Sequence, residues 1–130
     1  MLLGCLSFVD AVAADTKSNS IKLGIMQVTT AGSDRGITPS GRAMLLTNND
    51  GSSSAYTQVI GLEPFTSYGS HVHNLPCSLG GGGHYKNDPD VPGAVESNEL
   101  WVNFTTNDAG IGLGQASQNF SVRPDAQSVV

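Results

Sequence analysis

Ser20–Leu62 reads SIKLGIMQVTTAGSDRGITPSGRAMLLTNNDGSSSAYTQVIGL, and its patterning decides the fold class. Within Ser20–Thr29, Ile21, Leu23 and Ile25 recur at every second position, with Val28 following after a slip. That spacing puts them on one face of a strand, because successive side chains of an extended chain point to opposite sides. Ala31–Ser40 gathers Gly, Asp, Pro and Ser and reads as a turn. Gly41–Thr47 is a second short strand. Asn48-Asn49-Asp50-Gly51 is a strong turn signal, since these residues tolerate the backbone that a reversal needs. Ser52–Leu62 is a third strand, with Tyr56, Val59 and Ile60 expected in the core.

Working outward, Gly69–Leu75 (GSHVHNL) predicts a fourth strand, followed by a long Gly/Pro/Asp-rich loop over Pro76–Ser97. In Glu99–Thr106, Leu100, Val102 and Phe104 alternate with Trp101, Asn103 and Thr105. Asn107–Gly110 is a turn. Ile111–Val122 is a strand with a bulge expected near Gly114–Ala116, and Asp125–Val130 begins another. No segment shows a helical period. The pattern predicts an all-β protein, an antiparallel sandwich or Greek-key barrel.

The chain has 130 residues, 16 of them Gly, and only 13% are charged, which suits one turn-rich domain. The net charge is -5, without a basic stripe, which argues against a nucleic-acid partner. No apolar run is long enough for a membrane-spanning helix.

Met1–Ala14 (MLLGCLSFVDAVAA) ends in a small-residue pattern suited to signal peptidase. It lacks a charged start, and Asp10 interrupts the apolar run, so it reads as a partial export signal; an ordinary first strand is the alternative. Leu2-Leu3-Gly4-Cys5 also resembles a lipoprotein box. On the export reading the domain spans 15–130, and Cys77 is left as its sole cysteine, which is unusual outside the cell. The chain stops at Ser128-Val129-Val130 in what reads as mid-strand. Both features predict a truncated domain.

All three histidines, His71, His73 and His84, fall in one short window. His71 and His73 sit at i and i+2 of a predicted strand, so both imidazoles leave the same face. Gly80-Gly81-Gly82-Gly83 leads into His84 and lets the backbone pass close to a site. Three imidazoles and few thiolates suit copper or zinc.

These residues carry a resemblance. Gly61-Leu62, Tyr68-Gly69-Ser70-His71-Val72-His73, Cys77, Gly83-His84-Tyr85 and Leu100–Gly110 together resemble the copper/zinc superoxide dismutase family, over about half the chain by motif. Ser70 departs from a position that is bulky in the family. The resemblance implies a Greek-key barrel in which His71 and His73 are the first two copper ligands. His84 matches the histidine that bridges the two metals and carries a proton during turnover. The fourth copper histidine, the second half-cystine that would pair with Cys77, and the active-site arginine are all expected beyond Val130.

The family's zinc site needs two more histidines and an aspartate after the bridging one, and no histidine follows His84. The sequence is therefore closer to the copper-only branch, which includes tandem-repeat proteins; zinc is expected to be absent. There a carboxylate takes zinc's place and accepts a hydrogen bond from the bridging-type ring. Glu99 is the candidate, with Asp88 and Asp90 as runners-up. Lys86, just past His84, is the candidate for steering the anionic substrate, and Arg123 is a second cation that could approach.

The resemblance thus implies copper-dependent dismutation of superoxide to oxygen and hydrogen peroxide by an exported, antioxidant domain, with a homodimer or tandem domains as possible assemblies. Two alternatives are a non-catalytic copper-binding module and a metal-free β-sandwich interaction module. Trp101 reads as a packing or contact residue. Asn103-Phe104-Thr105 and Asn119-Phe120-Ser121 fit the N-glycosylation pattern.

Overall fold

In Ser53–Ile60 every second residue is buried, starting at Ser53 and running through Ala55, Thr57 and Val59. This is the two-residue period of a strand with one face on a core and the other outward. In the computed structural model, which describes residues 4–11, 20–28 and 36–130, this strand belongs to an all-β, antiparallel architecture. The strands are β1 (Gly4–Ala11), β2 (Ser20–Val28), β3 (Ser40–Thr47), β4 (Ser53–Ile60), β5 (Ser67–Tyr68), β6 (Val72–His73), β7 (Phe104–Thr105), β8 (Gly112–Gln118) and β9 (Ser128–Val129). Seven of them form one curled sheet in the order β6-β9-β1-β2-β3-β4-β8, and β5 pairs with β7. Two single 3₁₀ turns, Cys77–Leu79 and Glu96–Asn98, interrupt the long loop. Among the described residues no helix is long and apolar enough to cross a membrane.

The curl lets the inward side chains of β6, β9 and β1 meet those of β3 and β4. Leu6, Ala43, Leu45 and Ala55 pack there with Val72, Tyr85, Leu100, Val102, Ala126 and Val129 in one cluster. Each fully buried side chain of this size contributes about 1.5–3 kcal/mol through removal from water. Leu100 and Val102 are thus core residues, as their alternation with Trp101 and Asn103 predicts.

Several expectations need correction. Gly4–Ala11, read as part of an export signal outside the domain, forms β1, which pairs residue for residue with β2 and also with β9. Residues 12–14 lie outside the described residues. Cys5 of β1 is disulfide-bonded to Cys77, so the half-cystine expected beyond Val130 is found within this chain. Ile21, Leu23 and Ile25 do share a face, but it is the outer one: Ile25 is 80% exposed. Tyr56 and Ile60 lie on that outer face too, while Val59 is buried. The period shows which residues share a face and not which face turns inward; Gly24 and Ala43, the small neighbours, fill the crowded inner side.

The bulge expected in Ile111–Val122 is also absent: β8 pairs with β4 in unbroken one-to-one register from Val59↔Gly112 to Ser53↔Gln118. Its glycines serve close packing instead. A Cβ on Gly112 would strike the Phe104 ring, and one on Gly114 the Val102 carbonyl oxygen. The strands expected over Gly69–Leu75 and Glu99–Thr106 reduce to the two-residue β6 and β7, and β5 lies just before the first range. The residues between them remain extended and are tied by single bonds, such as Val72 N–H to the Leu100 oxygen at 3.0 Å.

Candidate metal centre

The site grows from β6. His71 and His73 flank the buried Val72, whose side chain enters the core; the two imidazoles leave on the opposite face, as alternation requires. His71 exchanges backbone bonds with Val130 at 2.8 and 3.0 Å and bridges to Trp101. Beyond His73 the chain leaves the strand, turns at Cys77–Leu79 and comes back through the glycine run. Asn74 N–H donates to the Gly83 oxygen and Leu75 N–H to the Gly81 oxygen, both at 3.0 Å. Tyr85 N–H then reaches the Val72 oxygen at 2.8 Å, and His84 is set opposite His73.

Glycine is required in this return. Gly81 and Gly82 have φ of +79° and +70°, in the left-handed region. A Cβ on Gly81 would lie 2.8 Å from Val130 Cγ2 and 3.5 Å from His73 Nδ1. The run is therefore a close-packed hairpin against the histidines and not a loose loop.

The structure brings all three predicted histidines together: one ring nitrogen from each lies within 4.8 Å of the others. The His71 and His84 ring centroids are 4.2 Å apart, and those of His73 and His84 5.0 Å. His73 Nδ1 faces the Gly82 oxygen at 3.2 Å, and His84 Nδ1 faces Glu99 Oε2 at 2.6 Å. With those nitrogens engaged, Nε2 is the one left for a ligand on His73 and on His84. Burial, reinforced by the neighbouring His84 and His73 rings, pushes His71 down to about 4. Burial, then His84, also lowers His73, against the opposing pull of the Gly82 and Gly81 carbonyls. Both rings are thus neutral at pH 7 with lone pairs available, the form in which imidazole binds a metal.

Glu99, the predicted carboxylate, is the one that meets His84; it is 1% exposed. Burial pushes its carboxyl up, but hydrogen bonds from Trp101 and His84 outweigh this and hold it below the ordinary glutamate value. Trp101 Nε1 donates to the same Oε2 at 2.6 Å. The runners-up point elsewhere: Asp88 accepts from the Asp90 N–H at 3.0 Å, and both are exposed in the loop.

Lys86 donates through Nζ to the Val91 oxygen at 2.9 Å and so is occupied within its own loop. Arg123 lies over the Tyr85 ring at 4.9 Å and donates to the Asn87 and Lys86 oxygens at 2.5 and 2.7 Å. It clamps the loop to the barrel and does not line the histidine cluster. The residue missed by sequence reasoning is Trp101, which packs edge-on against His71 at 5.5 Å as well as binding Glu99. Its i+2 spacing from Glu99 on an extended segment was the available signal. A cleft of about 540 Å³, lined in part by Leu6, Met26, Tyr68 and Phe104, opens onto the three imidazoles.

Comparison of the chain with protein-family models and with curated proteins returned no match. An all-β domain with a three-histidine cluster able to hold a metal ion is the class that fold and site define.

Proposed function

We propose that this domain binds copper through His71, His73 and His84 and dismutes superoxide, as the copper-only branch of the copper/zinc superoxide dismutase family does. The observation that carries the reading is the convergence of the three imidazole nitrogens beside a buried carboxylate that takes up the outer nitrogen of His84. The donor set fits: neutral imidazoles accommodate both copper oxidation states. A copper ion held there would supply the one-electron couple that disproportionation needs and that zinc lacks. Two superoxide ions and two protons then yield one oxygen and one hydrogen peroxide.

The chain's own residues divide the remaining work. His71 and His73, held neutral by burial, bind without having to release a proton at pH 7. Glu99 engages Nδ1 of the His84 ring and fixes its orientation, so Nε2 would be the atom that helps to hold the ion. The cleft beside the trio is wide enough for a diatomic anion. The Cys5–Cys77 bond fits an exported domain in an oxidising compartment.

A second reading, a copper carrier without turnover, draws on the count of three histidines in the sequence, which makes a three-nitrogen set. Copper titration followed by electron paramagnetic resonance tests the site. One Cu(II) per chain with nitrogen hyperfine structure is expected, lost in His71→Ala and His73→Ala. Absence of copper binding, or unchanged binding in both variants, overturns the proposal. A superoxide-consumption assay on the copper-loaded protein separates the enzyme from the carrier.

A further inference from the structure

We propose that the outer face of the sheet holds a binding groove for a single-chain amphiphile with an anionic head, of the fatty-acid class, and that Arg42 meets the head. The groove shares no lining residue with the cleft over the imidazoles, so the inference stands apart from the metal-site reading.

Strand register builds the groove. Leu23, Met44, Tyr56 and Gln115 stand side by side on β2, β3, β4 and β8. Two positions along each strand, Ile25, Arg42, Gln58 and Leu113 form a second row. Alternation sends both rows outward; Leu113, like Ile25, is largely exposed, at 68%. The row between them is Gly24, Ala43, Thr57 and Gly114. The two glycines have no side chain, and Ala43 and Thr57 are buried on the inner side, so nothing rises between the outer rows. The result is a trough of about 950 Å³ running across the strands, within the size range of small-molecule sites. Four strands at their usual spacing make it about 14 Å long, which suits one extended acyl chain.

The walls fix the chemistry. Leu23, Met44 and Tyr56 make one of them apolar, and Ile25 and Leu113 do the same at the two ends of the other. A continuous apolar stretch of this kind on a surface marks a contact site. In the middle of the second wall Arg42 Nε donates to Gln58 Oε1 at 2.9 Å. That bond orients the guanidinium and leaves its two terminal nitrogens without a partner among the described residues. No acidic residue lines the groove, although the chain has 11 Asp and Glu against 6 Lys and Arg. A carboxylate can accept two parallel bonds from such a fork, while its acyl chain lies along the opposite wall. The same charges argue against a second copy as the occupant. Stacking two of these faces would bury two arginines and bring no acid to either.

The test uses the metal-free wild type and sodium dodecanoate below its micelle concentration. Amide ¹⁵N–¹H spectra map the site, and calorimetry measures the affinity. Saturable one-to-one binding is expected, with shifts centred on residues 23–25, 42–44, 56–58 and 113–115. Arg42→Gln should weaken binding about tenfold. Leu113→Glu, which sets a carboxylate in the same wall, should weaken it as well. Both side chains are exposed, so neither change disturbs the core. Dodecyltrimethylammonium, with the same chain and the opposite head charge, should leave these amides unmoved where dodecanoate saturates them. No saturable binding, shifts centred elsewhere, an unchanged constant in Arg42→Gln, or an equal response to the cationic probe overturns the proposal. Sedimentation velocity on the ligand-free wild type covers the remaining occupant. A monomer leaves the groove open to the amphiphile, whereas a dimer that Leu113→Glu dissociates assigns the face to a second copy and overturns the proposal.

Discussion

Cys5 on β1 and Cys77 at the head of the glycine-rich hairpin are covalently joined across a sequence separation of 72 residues. The bond pins the hairpin to the sheet, and Cys77 N–H adds a hydrogen bond to Ser7 Oγ at 2.8 Å on the same strand. Closing a loop of this length removes about 4 kcal/mol of chain entropy from the unfolded state. The Cys5→Ser/Cys77→Ser double variant is expected to lose stability of that order in urea unfolding. The wild type in reductant should match it, and equal midpoints with and without reductant would refute the assignment.

Glu99→Gln keeps the volume of the side chain and removes its charge. Its copper dissociation constant should rise about 10–100-fold by calorimetric titration, with the far-ultraviolet spectrum unchanged. An unaltered constant would mean that the carboxylate does no more than fill space.

Acid should weaken the metal-free fold. His71 is pushed down to about 4 by burial and its histidine neighbours, from an ordinary 6.5. The unfolded chain therefore takes up this proton first, and stability is fully present above about 6.5 and falls as pH drops toward about 4. Glu99, held below its ordinary value of 4.5 by Trp101 and His84 against the opposing effect of burial, adds a loss at the acid end of the same window. Denaturation midpoints at pH 7, 5.5 and 4.5 should decrease in that order. His71→Gln should flatten the slope between pH 6.5 and 4.5.

Thr57 is buried on β4, and its Oγ1 finds no hydrogen-bond partner among the described residues. Thr57→Val removes an unsatisfied hydroxyl at nearly constant shape. It is expected to stabilise the domain by about 1 kcal/mol, read as a higher melting temperature. A lower one would show that the hydroxyl is satisfied in solution.

Gly114→Ala is the reverse case. The new methyl would press on the Val102 carbonyl oxygen, which as backbone cannot swing aside. A loss of about 1–3 kcal/mol is expected in thermal unfolding, whereas Gly80→Ala, where a Cβ meets nothing within 4 Å, should pay only for its left-handed backbone.

Legibility tracked locality. His71 and His73 could be paired from sequence because an i, i+2 relation survives whatever the strand packs against. Glu99 could be ranked above Asp88 and Asp90 only through the family resemblance, and its contact with His84 agrees with that ranking. The outward turn of Ile21, Leu23 and Ile25 was not legible, since alternation is symmetric between the two sides of a sheet. The Cys5–Cys77 bond was hidden for a different reason. It depends on β1 lying between β2 and β9, a tertiary fact that the resemblance of Met1–Ala14 to an export signal obscured. The partners of Lys86 and Arg123 were not legible, because the carbonyls they meet belong to an irregular loop without a periodic signal.

The chain has one tryptophan, and it stands 5.5 Å from the His71 ring. Its fluorescence therefore samples the immediate surroundings of the imidazoles and nothing else in the molecule of comparable strength. Arrival of a paramagnetic ion would darken it, and departure would restore it, so occupancy can be followed in real time on the unlabelled protein.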